Sequence, residues 1–113
     1  MTVTVKTLVA GSQLTAAASS FYVAPANTKA IIQNATIYNT ASANAQTVTV
    51  HVVDTGATET SSNMVIGSRV IGPLETYRCP ELIGKTISAT GTIRALASST
   101  STFSFQVSGV EVT

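Results

Sequence analysis

Apolar and polar residues alternate with a period of two along most of the chain. In the run from Phe103 to Ser108 every second residue is apolar, and residues 47–53 repeat the pattern with three valines on one side and His51 on the other. Residues 28–39 have apolar side chains on both faces, which is typical of a central or bent strand. No stretch of a dozen residues shows the spacing of an amphipathic helix, so the chain is predicted to be all-β.

Turn-forming residues divide this pattern into eight or nine short strands. Gly11 is expected to end the first strand, and Gly91 to join residues 86–90 and 92–97 into a hairpin. Within the last strand, Gly109 is expected to form a bulge. This number and spacing of strands predicts an antiparallel two-sheet β-sandwich or jelly roll.

The length of 113 residues suits one sandwich core without disulfides or metals. Residues 1–113 are therefore predicted to form a single domain. Within it, residues 1–9 are expected to be an N-terminal strand or an arm that pairs with a partner.

The composition is poor in charge. Only 10% of residues are charged, 44% are hydrophobic, and the chain contains 19 threonines and 13 serines. Since scattered charge normally keeps small domains apart, we expect part of the surface to be covered by other protein. A closed homo-oligomer, a trimer in preference to a dimer, would hide such a surface.

The charged residues also narrow the class of partner. The six lysines and arginines are dispersed and the net charge is +1, so no nucleic-acid-binding stripe is expected. The N-terminal residues lack the apolar core of a signal peptide and no run is long enough to span a membrane, so synthesis in the cytoplasm and no membrane partner are expected.

No set of residues has the pattern of an active site. The five carboxylates are scattered, and His51, the single histidine, is predicted to lie on the outward face of its strand, at the solvent surface or in an interface. Cys79 is the single cysteine and has no marked base beside it. We therefore predict no catalytic, cofactor-binding or metal-binding residues, and no enzymatic activity.

Two segments are the candidate interface. The N-terminal segment can pair with the strand edge of a partner, and the polar segment 54–63 has the composition of a mobile tip. An ordinary first strand and a solvated loop are the alternatives. The candidate contact residues are Thr2, Val3, Thr4, Val5, Asp54, Thr55, Thr58, Glu59 and Asn63.

Four segments resemble one class of known proteins. They are FYVAPANTKAIIQNATIYNT at 21–40, TVTVHVV at 47–53, GPLETYRCPELIG at 72–84 and TFSFQVSGVEVT at 102–113. In their turn and strand signals they resemble the small β-sandwich virion proteins of tailed bacteriophages. Leu74 stands where that group has a glycine.

The resemblance implies a non-enzymatic role as a capsid cement or decoration protein that binds and stabilises the shell. It implies the major capsid protein or other virion proteins as partners and the virion as location, with the capsid surface favoured over the tail. One alternative is a tail or baseplate accessory, or a carbohydrate- or receptor-binding module in which Tyr22, Tyr38 and Tyr77 stack on sugars. A host protein outside the virion is a more distant alternative.

Overall fold

The computed structural model describes residues 2–99 and 103–113, and these residues form nine β-strands and no α-helix. The predicted all-β class is confirmed. The strands are β1 (Val3–Gln13), β2 (Ser19–Val23), β3 (Lys29–Asn39), β4 (Gln46–Val53), β5 (Met64–Ile71), β6 (Thr76–Tyr77), β7 (Thr86–Ile87), β8 (Thr92–Ala97) and β9 (Phe103–Val112).

The strands form two antiparallel sheets that pack face to face. Sheet A has the order β1-β9-β3-β6, with β7 also paired to β3, and sheet B has the order β2-β8-β4-β5. The first strand thus pairs with the last, β2 with β8, and β4 with β5. This is the strand pairing of a jelly roll, and it confirms the predicted β-sandwich.

The core lies between the sheets and is filled by alternate residues of their strands. Phe103 and Phe105 of β9 are fully buried, as the alternation predicts. The Phe105 ring meets the ring of Phe21 edge to face, with centroids 5.9 Å apart. The alternation of β9 and β2 therefore determines where the aromatic part of the core lies.

Strand β3 is both central and bulged. It lies between β9 on one side and β6 and β7 on the other, and its pairing with β9 shifts between Ile32 and Asn34. Before the shift Ala30 and Ile32 are buried, and after it Ala35 and Ile37 are buried. The shift explains why the sequence has apolar residues on both faces of this strand.

Gly91 does not join a hairpin, so that prediction is wrong. Strand β7 pairs with β3 in sheet A, whereas β8 pairs with β2 and β4 in sheet B. The chain therefore crosses from one sheet to the other at Gly91. A Cβ atom there would lie 3.0 Å from the Ser88 carbonyl oxygen and 3.1 Å from that of Val53, which explains the glycine.

Gly11 does not end the first strand either. It lies within β1 with φ +74°, where the pairing with β9 shifts between Val9 and Ser12. Glycine adopts this left-handed conformation without steric cost. The residue therefore bends β1, and the strand continues to Gln13.

Candidate functional site

The direction of β9 decides which side chains face outward at the end of sheet A. Gly109 was predicted to bulge, but β9 has no extra residue there, and the register shifts in its pairing come from extra residues in β1 and β3. The alternation of β9 consequently continues past Gly109. Glu111 points toward the core side, and Val110 and Val112 point to the outer face of sheet A.

Neighbouring strands extend this outward pair into an apolar surface. Val110 has Val5 and Ile31 as its opposite residues, and Val112 has Val3 and, at the border of the surface, the exposed Lys29. Directly opposite residues of antiparallel strands lie on the same face of the sheet. We name Val3, Val5, Ile31, Val110 and Val112 the aliphatic patch.

The aliphatic patch is open to solvent at its β1 side. Val5 is 81% exposed and Val3 57% exposed, while Ile31 and Val112 are half-buried and Val110 is 9% exposed beneath its neighbours. Sheet B packs on the other face of sheet A, and no strand in the described part of the chain lies over the patch. A sandwich sheet normally has polar residues on its outer face, so this aliphatic group is the candidate contact surface of sheet A.

A polar groove adjoins the aliphatic patch on the same face. It is shallow and open, and its polar lining residues are Thr7, Asn34, Thr36, Gln106 and Ser108. These side chains offer hydroxyl and amide groups without any charge. The outer face of sheet A thus combines an apolar area with hydrogen-bonding groups, as protein interfaces do.

Strand β1 is the edge of sheet A, and its second side has no strand partner in the described part of the chain. Thr2 and Thr113 exchange two backbone hydrogen bonds of 3.1 and 2.9 Å. Because backbone groups alternate in direction along an antiparallel strand, those of Val3, Val5 and Thr7 point away from β9. They are free to pair with another strand.

Residues 1–9 were predicted to be a strand or an arm, and from Val3 onward they belong to an edge strand. Thr4 and its neighbours pair with β9 from Val3 onward, and residue 1 lies outside the described residues. Leu8 and Val9 are buried in the core, so residues 1–9 cannot be removed without loss of packing. Whether a partner binds to this strand stays a prediction.

Glu111 closes the sandwich behind the aliphatic patch. It is 9% exposed, and its Oε2 accepts a hydrogen bond of 2.5 Å from the Tyr22 hydroxyl. The Lys6 Nζ lies 3.4 Å from Oε1. Burial, with this hydrogen bond to Glu111, raises the pKa of Tyr22 above its usual range. Tyr22, Glu111 and Lys6 thus join β2 of sheet B to β9 and β1 of sheet A.

Loop 54–63 was predicted to be a mobile tip, but it folds back onto sheet B. The Asn63 Oδ1 accepts a hydrogen bond of 3.0 Å from the Thr60 N–H and lies 2.8 Å from His51 Nδ1. The Asn63 Nδ2 donates to the Thr58 carbonyl at 2.8 Å. The Asn63 side chain therefore makes its hydrogen bonds within the chain, and these bonds fix the shape of the loop.

His51 faces away from the core, as predicted, but it is only 4% exposed. The prediction that it lies at the solvent surface is wrong. Alternation along a strand shows the direction of a side chain and cannot show that a loop 12 residues later covers it. His51 holds the loop against sheet B through its hydrogen bond with Asn63.

Glu59 is also engaged with sheet B. Its Oε1 accepts a hydrogen bond of 2.9 Å from Nη1 of Arg94 on β8. This bond is the main cause that lowers the pKa of Glu59. The carboxylate is therefore ionised at neutral pH and paired within the chain.

The beginning of the loop contacts the connection between β7 and β8. The Thr55 hydroxyl donates to the Ala89 carbonyl at 2.7 Å, and Asp54 Oδ1 accepts from the Ser88 hydroxyl at 3.5 Å. Among the predicted contact residues of the loop, Asp54, Thr55 and Thr58 are exposed, and Glu59 and Asn63 are half-buried. The loop thus offers a fixed surface, and its use as an interface stays a prediction.

Cys79 is buried and unreactive, and the side chains near it connect the two sheets. Burial raises the pKa of the Cys79 thiol to about 12, so the thiol is protonated and unreactive at neutral pH. The Tyr77 hydroxyl donates to the Glu81 carboxylate at 2.5 and 2.6 Å, and the Arg69 guanidinium lies 4.1 Å from the centre of the Tyr77 ring. These contacts join β5 of sheet B to β6 of sheet A.

Two of the three tyrosines considered for sugar stacking already contact other side chains of the chain. Tyr22 is buried against Glu111, and one face of Tyr77 is covered by Arg69. Tyr38, at 37% exposed, is the most accessible of the three. They do not form a common stacking surface, since Tyr22 lies in sheet B and the other two in sheet A.

Neither a metal cluster nor a membrane helix is found in residues 2–99 and 103–113. No three histidine, cysteine, aspartate or glutamate side chains there lie close enough together to hold a metal ion. No helix in that part of the chain has the length and apolar character needed to cross a bilayer.

No protein-family model matches the chain, and no curated protein sequence matches it. A solved structure of infectious bursal disease virus, Gx strain, matches with a TM-score of 0.44 and 14% sequence identity. The match covers 97% of this chain and 31% of that one, so this chain spans about a third of its length. At this TM-score and identity, the match has no bearing on function.

Sequence reasoning found part of the candidate site and missed the rest. It selected Val3 and Val5 for their place near the N-terminus, and the structure puts both in the aliphatic patch. It missed Ile31, Val110 and Val112, and a bulge at Gly109 would have turned the two valines toward the core. The register of three strands was needed to place them on the outer face.

Proposed function

We propose that this protein is a non-enzymatic structural protein of a bacteriophage virion, of the capsid cement type, which binds the shell through the outer face of sheet A. The aliphatic patch is the observation that carries the proposal. Its exposed valines are costly to keep in water, and burial against a partner removes that cost at about 25 cal/mol per Å². The major capsid protein or another virion protein is the partner.

The surroundings of the patch favour protein as the partner. Charged residues make up only 10% of the chain, so few charges have to be desolvated when the face is covered. The polar groove beside the patch offers uncharged donors and acceptors that can pair with the backbone or amide groups of a partner. A nucleic-acid partner would require a basic surface instead.

The rigid jelly roll suits an adhesive mechanism. The patch lies on paired strands, so its residues lose little conformational freedom on binding. On a shell that repeats the same binding surface, contacts that are weak singly add up, because each further attachment is effectively intramolecular. Stabilisation of the shell then follows from bridging neighbouring subunits.

The placement in a bacteriophage virion rests on the resemblance of residues 21–40, 47–53, 72–84 and 102–113 to small virion proteins. The last of these segments contains the two outward valines of β9, Val110 and Val112. The segment that carries the resemblance therefore also supplies part of the proposed contact surface.

The copy number of the protein in purified particles tests the proposal. Quantitative mass spectrometry against the major capsid protein should give a ratio of one or a simple fraction if the protein is a cement. A handful of copies per particle would instead favour the tail accessory or receptor-binding module. Absence from particles would contradict the virion assignment.

A further inference from the structure

From Val3 to Thr7, strand β1 is the longest regular stretch of edge among the described strands. The other edge of sheet A is made of the two-residue strands β6 and β7. In sheet B, β2 has five residues and a register shift, and β5 has shifts and a left-handed Ser68. Short strands and bulges protect sheet edges from pairing with other chains. From Val3 to Thr7, β1 has neither protection.

Charge does not protect this edge either. Lys6 is the single charged residue of β1, and its ammonium group reaches back to Glu111 of its own chain. No proline interrupts the strand. An unprotected edge of this kind is expected to be covered by a strand, and the question is which strand fits it.

We infer that β1 pairs with β1 of a second copy of this chain across a two-fold axis centred on Val5. In this antiparallel register Val5 lies opposite its counterpart, and Val3 lies opposite the second copy's Thr7. The backbone groups of all three residues point to the free side of β1, so every donor meets an acceptor. The two A sheets become one continuous sheet.

The side chains agree with this register. Centring the pair on Lys6 would place two ammonium groups directly opposite each other, which destabilises a strand pair. Centring it on Val5 places each Lys6 opposite the second copy's Thr4, whose other neighbour is Glu111. Each ammonium group then lies between two carboxylates, its own and that of the second copy, so the charges are complementary.

The register also joins the two aliphatic patches. Val5 is the most exposed hydrophobic residue of the described chain and lies at the outer border of its patch. Opposite its counterpart it loses exposed area, and Val110, Val5 and their counterparts form a continuous apolar row. The inference rests on the edge geometry and is independent of the proposed virion function.

Sedimentation equilibrium of the purified protein at about 50 μM, far above the Kd of a stable dimer, tests the inference. The expected mass is twice 11.6 kDa. Val5→Lys should give the mass of one chain, because two lysines would then face each other. Val70→Lys is the matched control on β5, since Val70 is also an exposed edge-strand valine at 64% exposure, and it should remain dimeric.

Cysteine substitution tests the register itself. In the proposed dimer the Cα atoms of Val5 and its counterpart are about 5.5 Å apart, within the range of a disulfide. Val5→Cys should therefore form a covalent dimer when oxidised with diamide, whereas Val3→Cys should not, because those positions are about 13 Å apart. Cys79 is buried and should not react.

A monomer or trimer of the unmodified chain would overturn the inference. So would a Val5→Lys variant that stays dimeric, or Val3→Cys crosslinking as readily as Val5→Cys. Because these experiments use purified protein without particles, a negative result leaves the proposed function standing. Circular dichroism of each variant confirms that the exposed substitutions have not unfolded the sandwich.

Discussion

At Gly109 the backbones of β9 and β3 approach each other more closely than a side chain permits. A Cβ atom at this position would lie 2.1 Å from the Ile31 carbonyl oxygen and 3.2 Å from Ile32 Cα. The contact is with backbone, which cannot turn aside as a flexible side chain can. The absence of a side chain at Gly109 thus allows β3 to bulge while β9 continues straight.

Gly109→Ala should destabilise the protein by about 3 kcal/mol or more, because the two strands must separate to make room for the methyl group. Ser108→Ala is the control at the neighbouring exposed position and should change stability by less than about 0.5 kcal/mol. Urea unfolding followed by circular dichroism measures both. Equal stability of the two variants would contradict the close approach of β9 and β3.

The raised pKa values of the Cys79 thiol and the Tyr77 hydroxyl should make the free energy of unfolding fall at high pH. Burial raises the pKa of Cys79 to about 12 and, with a hydrogen bond to Glu81, the pKa of Tyr77 to about 12. In the unfolded chain the cysteine ionises at about pH 9 and the tyrosine at about pH 10. Above that range the unfolded state has lost protons that the folded state keeps, so the free energy of unfolding should fall as the pH rises toward about 12.

Cys79→Ala should make this fall shallower, since one of the acids is gone. Val48→Ala is the matched control, because it also removes buried side-chain volume but no titratable group. It should lower stability at every pH and leave the dependence on pH unchanged. Urea titrations at about pH 8, 10 and 11 give the comparison, and identical slopes for the two variants would contradict the role assigned to Cys79.

At the scale of elements, the sequence predicts the strands better than their connections. The alternation in residues 47–53 and 103–108 predicts β4 and the first part of β9, because a one-residue slip would expose their apolar residues. The link at Gly91 was not predictable, because a turn inside one sheet and a crossing between two sheets use the same residues. The two cases differ only in which strands pair with β7 and β8, and those strands are far away in the sequence.

Loop 54–63 shows the same difference between local pattern and tertiary contact. Its polar composition suggested a mobile tip, but Asn63 and Glu59 reach His51 and Arg94 on the outer face of sheet B. Both contacts join residues separated by 12 or more positions. No local pattern encodes them, so the sequence could name the residues without showing that they face their own chain.

Asn63→Ala should loosen loop 54–63, because it removes hydrogen bonds to His51, Thr60 and Thr58 together. The expected loss of stability is about 1–3 kcal/mol, the range for leaving a buried polar group unpaired, because His51 is buried while Thr58 and Thr60 can bond to water. Hydrogen exchange should become faster in the loop while β9 stays protected. Ser61→Ala, at an exposed position of the same loop, should exchange like the unmodified protein.

For the whole molecule, the important feature is the difference between the outer faces of the two sheets. Sheet B is partly covered by loop 54–63 through Asn63 and Glu59, whereas the aliphatic patch of sheet A has no such cover in the described part of the chain. The sequence predicted a covered surface from its low charge. It could not choose the face, since the outward direction of Val110 depends on bulges in β1 and β3.

Incorporation of Ile31→Lys into particles tests the central claim most directly. Ile31 lies in the aliphatic patch on a central strand, away from the β1 edge, so the substitution changes the proposed shell-binding face and leaves the dimer edge intact. The control is Leu74→Lys, at a 56% exposed apolar residue outside the patch. We predict that Ile31→Lys folds and is depleted from purified particles at least about tenfold, which corresponds to about 1.4 kcal/mol of lost binding, while Leu74→Lys is incorporated normally. Normal incorporation of Ile31→Lys would contradict the claim that the outer face of sheet A binds the shell.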